Sequence, residues 1–300
     1  MIRPLRITQP YCLGSPREPA GSYFEEEEGD MGSVVHSVEL PTGVTLQYVE
    51  QGDPAGIPVL LLHGATDSWR SFEPVLPHLP SSIRAFALTQ RGHGDASRPP
   101  AGYRYVDYAA DLMAIMDVIG LRSALIVGHS MGRAIAQRFA IDFPGRTLGL
   151  VLIGAFDGEA RNPVVVELDE TVSILTDPVD VGFVREFQVS TLGQPVPPAF
   201  LDTVVHESLK LPAWVWREVF AGMREDDVAA EFGKISVPTL VILGDRDGFT
   251  APNMVEARAR DVAVARLLVY HGAGHALHWE EPARFAADLA AFTKSLKYRG

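Results

Sequence analysis

The 300-residue sequence predicts an α/β fold: a mostly parallel central sheet flanked by helices, with a helical cap inserted into it. Three observations carry this. Short, nearly unbroken apolar runs recur along the chain, helical periodicity fills the gaps between most of them, and one long stretch breaks the alternation. Strands covered on both faces read as continuous apolar runs, and a parallel sheet is the usual reason for such cover.

Residues 1–33 hold several prolines and glycines and the run Glu25-Glu26-Glu27-Glu28. That composition buries too little surface to offset the entropy of ordering, so it predicts a flexible N-terminal tail. Met31, just before the first strand-like segment, is a second candidate translation start. Residues 34–40 and 44–49 alternate apolar and polar side chains around Pro41-Thr42-Gly43, which predicts an antiparallel hairpin at a sheet edge. The buried-strand runs follow: Val59-Leu60-Leu61-Leu62, Ala85-Phe86-Ala87-Leu88, Leu125-Ile126-Val127, Leu150-Val151-Leu152-Ile153, Leu240-Val241-Ile242-Leu243 and Leu267-Leu268-Val269.

Between them Tyr105, Tyr108, Ala109, Leu112, Ile115, Met116 and Ile119 recur at helical steps, with Asp107, Asp111 and Asp117 off the stripe. Phe285, Leu289, Phe292 and Leu296 repeat the pattern near the C-terminus. There Glu280 and Glu281 precede Pro282, and Lys294 lies in the last turns, as the helix dipole favours. From 156 to 234 no buried strand is evident. Helix-like segments punctuated by Pro163, Pro178, Pro195, Pro197-Pro198 and Pro212 carry Phe183, Phe187, Phe200, Trp214, Trp216 and Phe220. This is too long for a loop and predicts a cap or lid, with core at 34–155 and 235–300. Its large rings, Trp214, Trp216 and Phe187 among them, are candidates for an apolar substrate pocket.

Composition bounds the function. A net charge of −12 argues against nucleic acid and against an anionic membrane surface as partner. Cys12 is the single cysteine, so the chain has neither an internal disulfide framework nor a thiolate metal cluster. No apolar run approaches the roughly 20 residues that span a bilayer. The N-terminus lacks the apolar stretch of a secretory signal, which leaves the cytoplasm as the expected compartment.

Chemistry enters at Gly128-His129-Ser130-Met131-Gly132, between the run ending at Val127 and an alanine-rich helical stretch. Flanking glycines let the backbone take a strand-to-helix turn with the serine at its apex, and the helix start aims unpaired N–H groups at the same place. A serine hydroxyl needs a base, and a histidine base needs an orienting carboxylate. Two later strand ends offer them: Gly244-Asp245-Arg246-Asp247-Gly248 and Tyr270-His271-Gly272-Ala273-Gly274-His275. Loops at strand ends meet along one edge of a parallel sheet, so Ser130, one of the aspartates and His275 can converge there. His271, His275 and His278 also invite a metal reading, but Gly272 and Gly274 work against the helix it would need, and no metal or cofactor is expected.

With these residues in view, the chain resembles the α/β-hydrolase fold superfamily, its serine esterase and lactonase-like members in particular. The resemblance spans residues 34–300 and rests on His63-Gly64, Gln90-Arg91-Gly92-His93-Gly94, the Ser130 turn, Gly244-x-x-Asp247 and Gly274-His275, in the order Ser, Asp, His. It implies Ser130 as nucleophile, His275 as general base and acid, and Asp247 as its orienting partner. It also implies the backbone N–H groups of Ala65 and Met131 as an oxyanion hole. Asp245 in the same turn and Asp157 after the preceding strand are the rival acids. Of the remaining histidines, His129 is expected to point into the packing around the turn, His63 to brace a loop and His93 to shape its glycine turn. Gln90 stands where many relatives carry an aspartate. Arg133 either binds a carboxylate or sits on the helix surface.

The expected activity is hydrolysis of a small, largely apolar carboxylic ester or lactone. One alternative is hydrolysis of a carbon–carbon bond in an aromatic ring-cleavage product, which needs a pocket cation such as Arg133, Arg185 or Arg217. The other is a non-catalytic ligand receptor of the same fold.

Overall fold

The computed structural model describes residues 34–154, 162–226, 228–249 and 265–296. The expectations for the tail, for Met31 and for Asp157 fall outside the described residues. Eight strands form one sheet: β1 (Val35–Glu39), β2 (Thr45–Gln51), β3 (Ile57–Leu62), β4 (Ile83–Thr89), β5 (Ala124–His129), β6 (Thr147–Ile153), β7 (Thr239–Gly244) and β8 (Ala265–Tyr270). Their spatial order is β1-β2-β4-β3-β5-β6-β7-β8. The β1–β2 and β2–β4 pairs are antiparallel and the remaining pairs parallel, which is the predicted edge hairpin joined to a parallel sheet.

The apolar runs are explained by cover on both faces. Along β3, Leu60 and Leu62 enter one core, with Phe86, Leu112, Ile135 and Phe139. Val59 and Leu61 enter the other, with Phe72, Phe285 and Leu289. Successive side chains of a strand point to opposite faces, so a strand between two helical layers must be apolar at every position. Helices α1 (Tyr105–Val118) and α2 (Met131–Asp142) supply the first layer, and α8 (Pro282–Ser295) the second, after the short α7 (Leu277–Glu280).

Two local expectations change. β8 is the edge of the sheet, with one neighbour only, and Leu268 is 36% exposed on it rather than enclosed. Asp111 is off the apolar stripe of α1 yet buried, because Arg91 reaches it with Nε at 2.5 Å and Nη2 at 2.6 Å. This ion pair ties α1 to the loop after β4, and breaking such a pair costs more than never having built it.

Between β6 and β7 the chain forms α3 (Pro163–Ser173), α4 (Val181–Ser190), α5 (Pro198–Leu209) and α6 (Ala213–Glu225). The prolines act as starts: Pro163 and Pro198 open α3 and α5, and Pro212 caps α6, all positions where a missing N–H costs nothing. Among the described residues no helix is long and apolar enough to cross a membrane.

Candidate active site

Ser130 occupies the turn between β5 and α2 with φ 53° and ψ −116°, a conformation strained for any side-chain-bearing residue. The flanking glycines permit it by close approach. A Cβ at Gly128 would lie 2.2 Å from the Gly132 carbonyl oxygen, and one at Gly132 would lie 2.3 Å from that of Leu62. The start of α2 is thereby pressed onto the end of β3. Met131 is the first residue of α2, so its N–H has no carbonyl partner within the helix.

The two strand-end loops sort their acids. Asp247 Oδ2 lies 2.9 Å from His275 Nδ1, with both side chains buried, and Asp247 Oδ1 accepts from the Phe249 N–H at 2.8 Å. Asp245 turns to the other histidine: Oδ2 is 2.9 Å from His271 Nδ1, and Oδ1 accepts from the Gly272 N–H at 2.6 Å. Asp245 therefore braces the loop that carries His275 without touching its ring. An ionised Asp247 fixes the proton of His275 on Nδ1, which leaves Nε2 as acceptor. His271, His275 and His278 point to Asp245, Asp247 and Ser71 respectively, and among the described residues no group of three potential ligands is arranged around a cation.

Ser130 and His275 both line one cavity, together with Gly64, Ala65, Asp67, His129 and Gln188. Its apolar wall comes from Val165 and Leu168 of α3, Phe187 of α4, Phe220 and Met223 of α6, and Phe249 and Trp279. Of the three aromatics expected there, Phe187 lines the cavity and the other two do not. Trp216 is fully buried behind the wall, 5.5 Å from the Phe187 ring and 6.2 Å from that of Phe220. Trp214 packs edge-on against Tyr103 at 6.3 Å. Helical spacing did put Trp216, Phe220 and Met223 on one face of α6, but the depth of each ring depends on the helices it meets.

Several neighbouring side chains have defined structural partners. His63 Nε2 accepts from the Gln90 N–H at 3.0 Å, and the Gln90 amide donates to the His63 carbonyl at 3.0 Å. His93 Nδ1 lies 2.8 Å from the Arg91 carbonyl oxygen. His129 lines the cavity but directs Nε2 to the His275 carbonyl oxygen at 3.2 Å. Burial holds His63 and His129 well below the usual histidine range and takes His278 down to about 3, so these rings are neutral near pH 7.

The arginines are elsewhere. Arg133 is 1% exposed and donates to Gln137 Oε1 at 2.5 Å, so it is a buried residue of α2 and not a helix-surface one. Arg185 pairs with Asp202, and Arg217 donates to the Leu175 carbonyl at 2.7 Å. None of the three is among the described residues that line the cavity.

The site that sequence reasoning missed is Asp67. It is 3% exposed, accepts from Gln188 Nε2 at 3.1 Å and from Ser71 Oγ at 3.3 Å, and burial pushes its carboxyl up to about 7. Its signal in the sequence is slight: an acid three residues after His63-Gly64, in a segment otherwise read only for main-chain donors.

A family model described as the alpha/beta hydrolase family matches residues 59–288, and the chain belongs to that family. It is 29% identical to a non-heme chloroperoxidase from Streptomyces lividans over 299 residues, covering 88% of this chain and all of that protein. It is 26% identical to the AB hydrolase superfamily protein YisY of Bacillus subtilis, over 87% of this chain and 99% of that one. The esterase EaEST from Exiguobacterium antarcticum superposes with a TM-score of 0.75 at 22% identity, covering 88% of this chain and all of the other, a likeness of fold.

Proposed function

We propose that the protein is a cofactor-free serine hydrolase acting on a carboxylic ester or lactone of a small, largely apolar molecule, with residues 156–234 as the cap that closes the pocket. One observation carries the reading: the buried Asp247–His275 pair opens on the cavity that Ser130 also lines. In this scheme Ser130 Oγ attacks the carbonyl carbon while His275 Nε2 takes the hydroxyl proton. The carbonyl oxygen, now anionic, accepts from the N–H groups of Ala65 and Met131. Two preorganised donors matter, since losing one typically costs about 10²–10³ in turnover. His275 then returns its proton to the leaving alkoxide, and a water activated by the same ring releases the acid and restores Ser130.

The carbon–carbon alternative asks for a pocket cation. Arg133, Arg185 and Arg217 each engage other partners, so the ester or lactone reading is preferred.

A fluorophosphonate probe tests the scheme directly. Ser130 should be the labelled residue, and Ser130→Ala should lose labelling and at least about 10³-fold in ester turnover while keeping its fold. Labelling elsewhere, or full esterase activity in the variant, overturns it.

A further inference from the structure

The cavity contains a carboxyl group that the proposed reaction does not use. Asp67 follows the oxyanion segment Gly64–Ala65, and its Oδ2 would sit 3.3 Å from a Cβ at Gly64. Among the described residues that line the cavity it is the one acid, and no lysine or arginine is among them. Gln188 of α4 and Ser71 of the 3-10 turn Trp69–Phe72 fix both of its oxygens. Gln188 in turn donates to Ser208 of α5 at 2.8 Å, so the carboxyl is held between core and cap helices.

We propose that Asp67 is a specificity-determining residue that sets the charge preference of the pocket, admitting neutral or cationic substrates and rejecting those whose acyl part bears a carboxylate. The proposal rests on the ester or lactone reading for its assay, and on the position of Asp67 for its physics. A substrate placed with its carbonyl at Ala65 and Met131 lies a few ångströms from this carboxyl, in a cavity where a like charge is poorly screened.

The effect is pH-dependent because burial pushes the Asp67 carboxyl up to about 7, against the pull of its hydrogen bonds from Gln188 and Ser71. The groups facing it are few. His129, at the end of β5, has Nδ1 4.0 Å from Asp67 Oδ2, and His278 of α7 meets Ser71 at 3.2 Å. Both are neutral by burial. From the loop after β8, His275 favours the ionised Asp67, and α4 presents the neutral Gln188. On α5, Glu207 is held by Lys210 at 2.9 Å and lies 3.9 Å from Arg70. Asp67 is thus neutral in mildly acidic solution and negative in mildly alkaline solution.

The test compares kcat/KM for two 4-nitrophenyl adipates, one with its far end a methyl ester and one with it a free carboxylate. Taking their ratio within one preparation cancels any difference in folded fraction. For the native protein the neutral ester should be favoured by about 10- to 100-fold at pH 8.5, the size of one like-charge repulsion across roughly 6–12 Å at an effective dielectric near 20. At pH 5.5 the ratio should fall to about threefold or less. Asp67→Asn, whose amide oxygen can still accept from Gln188 and whose amide NH2 can donate to Ser71, should show about threefold or less at both pH values.

An unchanged ratio in Asp67→Asn, or a native ratio that does not move with pH, overturns the proposal. A titration of hexanamide against hexanoate, followed at the indole N–H of the cavity residue Trp279, reads the same preference without turnover. It should show the amide binding more tightly at pH 8.5 and the gap closing in Asp67→Asn. Equal binding of the two ligands to the native protein at pH 8.5 also overturns the proposal. If neither ester is cleaved, the Ser130 reading fails while this titration still decides the role of Asp67.

Discussion

Gly154 and the imidazole of His275 occupy touching space. A Cβ at Gly154, the residue directly after β6, with φ +91°, would stand 2.7 Å from His275 Cε1 and 3.1 Å from Nδ1. The ring is seated on bare backbone, with Asp247 behind it at 2.9 Å and the Phe249 ring at 4.7 Å. Its position is set by contacts from the ends of β6, β7 and β8 together.

Gly154→Ala should therefore displace the imidazole of His275, the proposed base. The methyl cannot be accommodated unless the ring moves, and the positive φ adds strain. A misplacement near 1 Å is worth about 10²-fold in a positioned reaction. We expect kcat to fall by at least about tenfold with KM altered far less, read from steady-state ester hydrolysis.

The two aspartates of the β7 loop should separate cleanly. Asp247→Asn removes the charge that fixes the Nδ1 proton of His275, and a loss near 10⁴ in kcat is the scale for such a change in a triad. Asp245→Asn alters the bonds to the exposed His271 and the Gly272 N–H, neither of which is in the proposed triad, so kcat should stay within about fivefold. A large loss in Asp245→Asn with a small one in Asp247→Asn would make Asp245 the orienting acid instead.

Stability should carry the mark of Asp67 as well. A carboxyl raised to about 7 by burial binds its proton more tightly in the folded chain than in the unfolded one. Its contribution is fully present below the ordinary aspartate range near 4 and is lost as pH rises through about 7. The span is about 4 kcal/mol at most, by linkage. The buried histidines act in the opposite sense. His93 at about 4 and His278 at about 3 stay neutral in the fold, so their contribution is present above about 6.5 and fades as pH drops through those lower values. Urea titrations from pH 4 to 8 should show Asp67→Asn gaining on the native chain steadily as pH rises, with the gap levelling beyond about pH 8. A constant gap would mean that Asp67 is ionised throughout.

The parallel sheet was legible because double cover requires apolar side chains at every position, as from Val59 to Leu62. The Ser130 turn was legible because its glycines are demanded by backbone that a Cβ would meet at under 2.5 Å, a requirement that shows in the residue names themselves. Depth within a layer left no such trace. Trp216, Phe220 and Met223 share a face of α6, and the packing of α3 and α4 against that helix decides which of them meet the cavity. Asp111 read only as off the apolar stripe because burial of a charge depends on a partner elsewhere in the chain, as Arg91 is for Asp111. Asp67 was hidden for the same reason: Gln188, which holds it, is 121 residues away.

The roof of the cavity leaves the core after β6 and rejoins it at β7, and those two strands are hydrogen-bonded neighbours from Leu150–Thr239 to Ile153–Ile242. β6 and β7 run parallel, so the excursion leaves at the carboxyl end of β6 and returns at the amino end of its neighbour β7. This crossing is fixed while the length between is nearly free to vary, since each doubling of such a loop adds only about 0.6 kcal/mol of closure entropy. Helices could be lengthened, swapped or grafted there with the anchoring strands left in register. The chain can thus be refitted to a different guest by replacing one contiguous stretch.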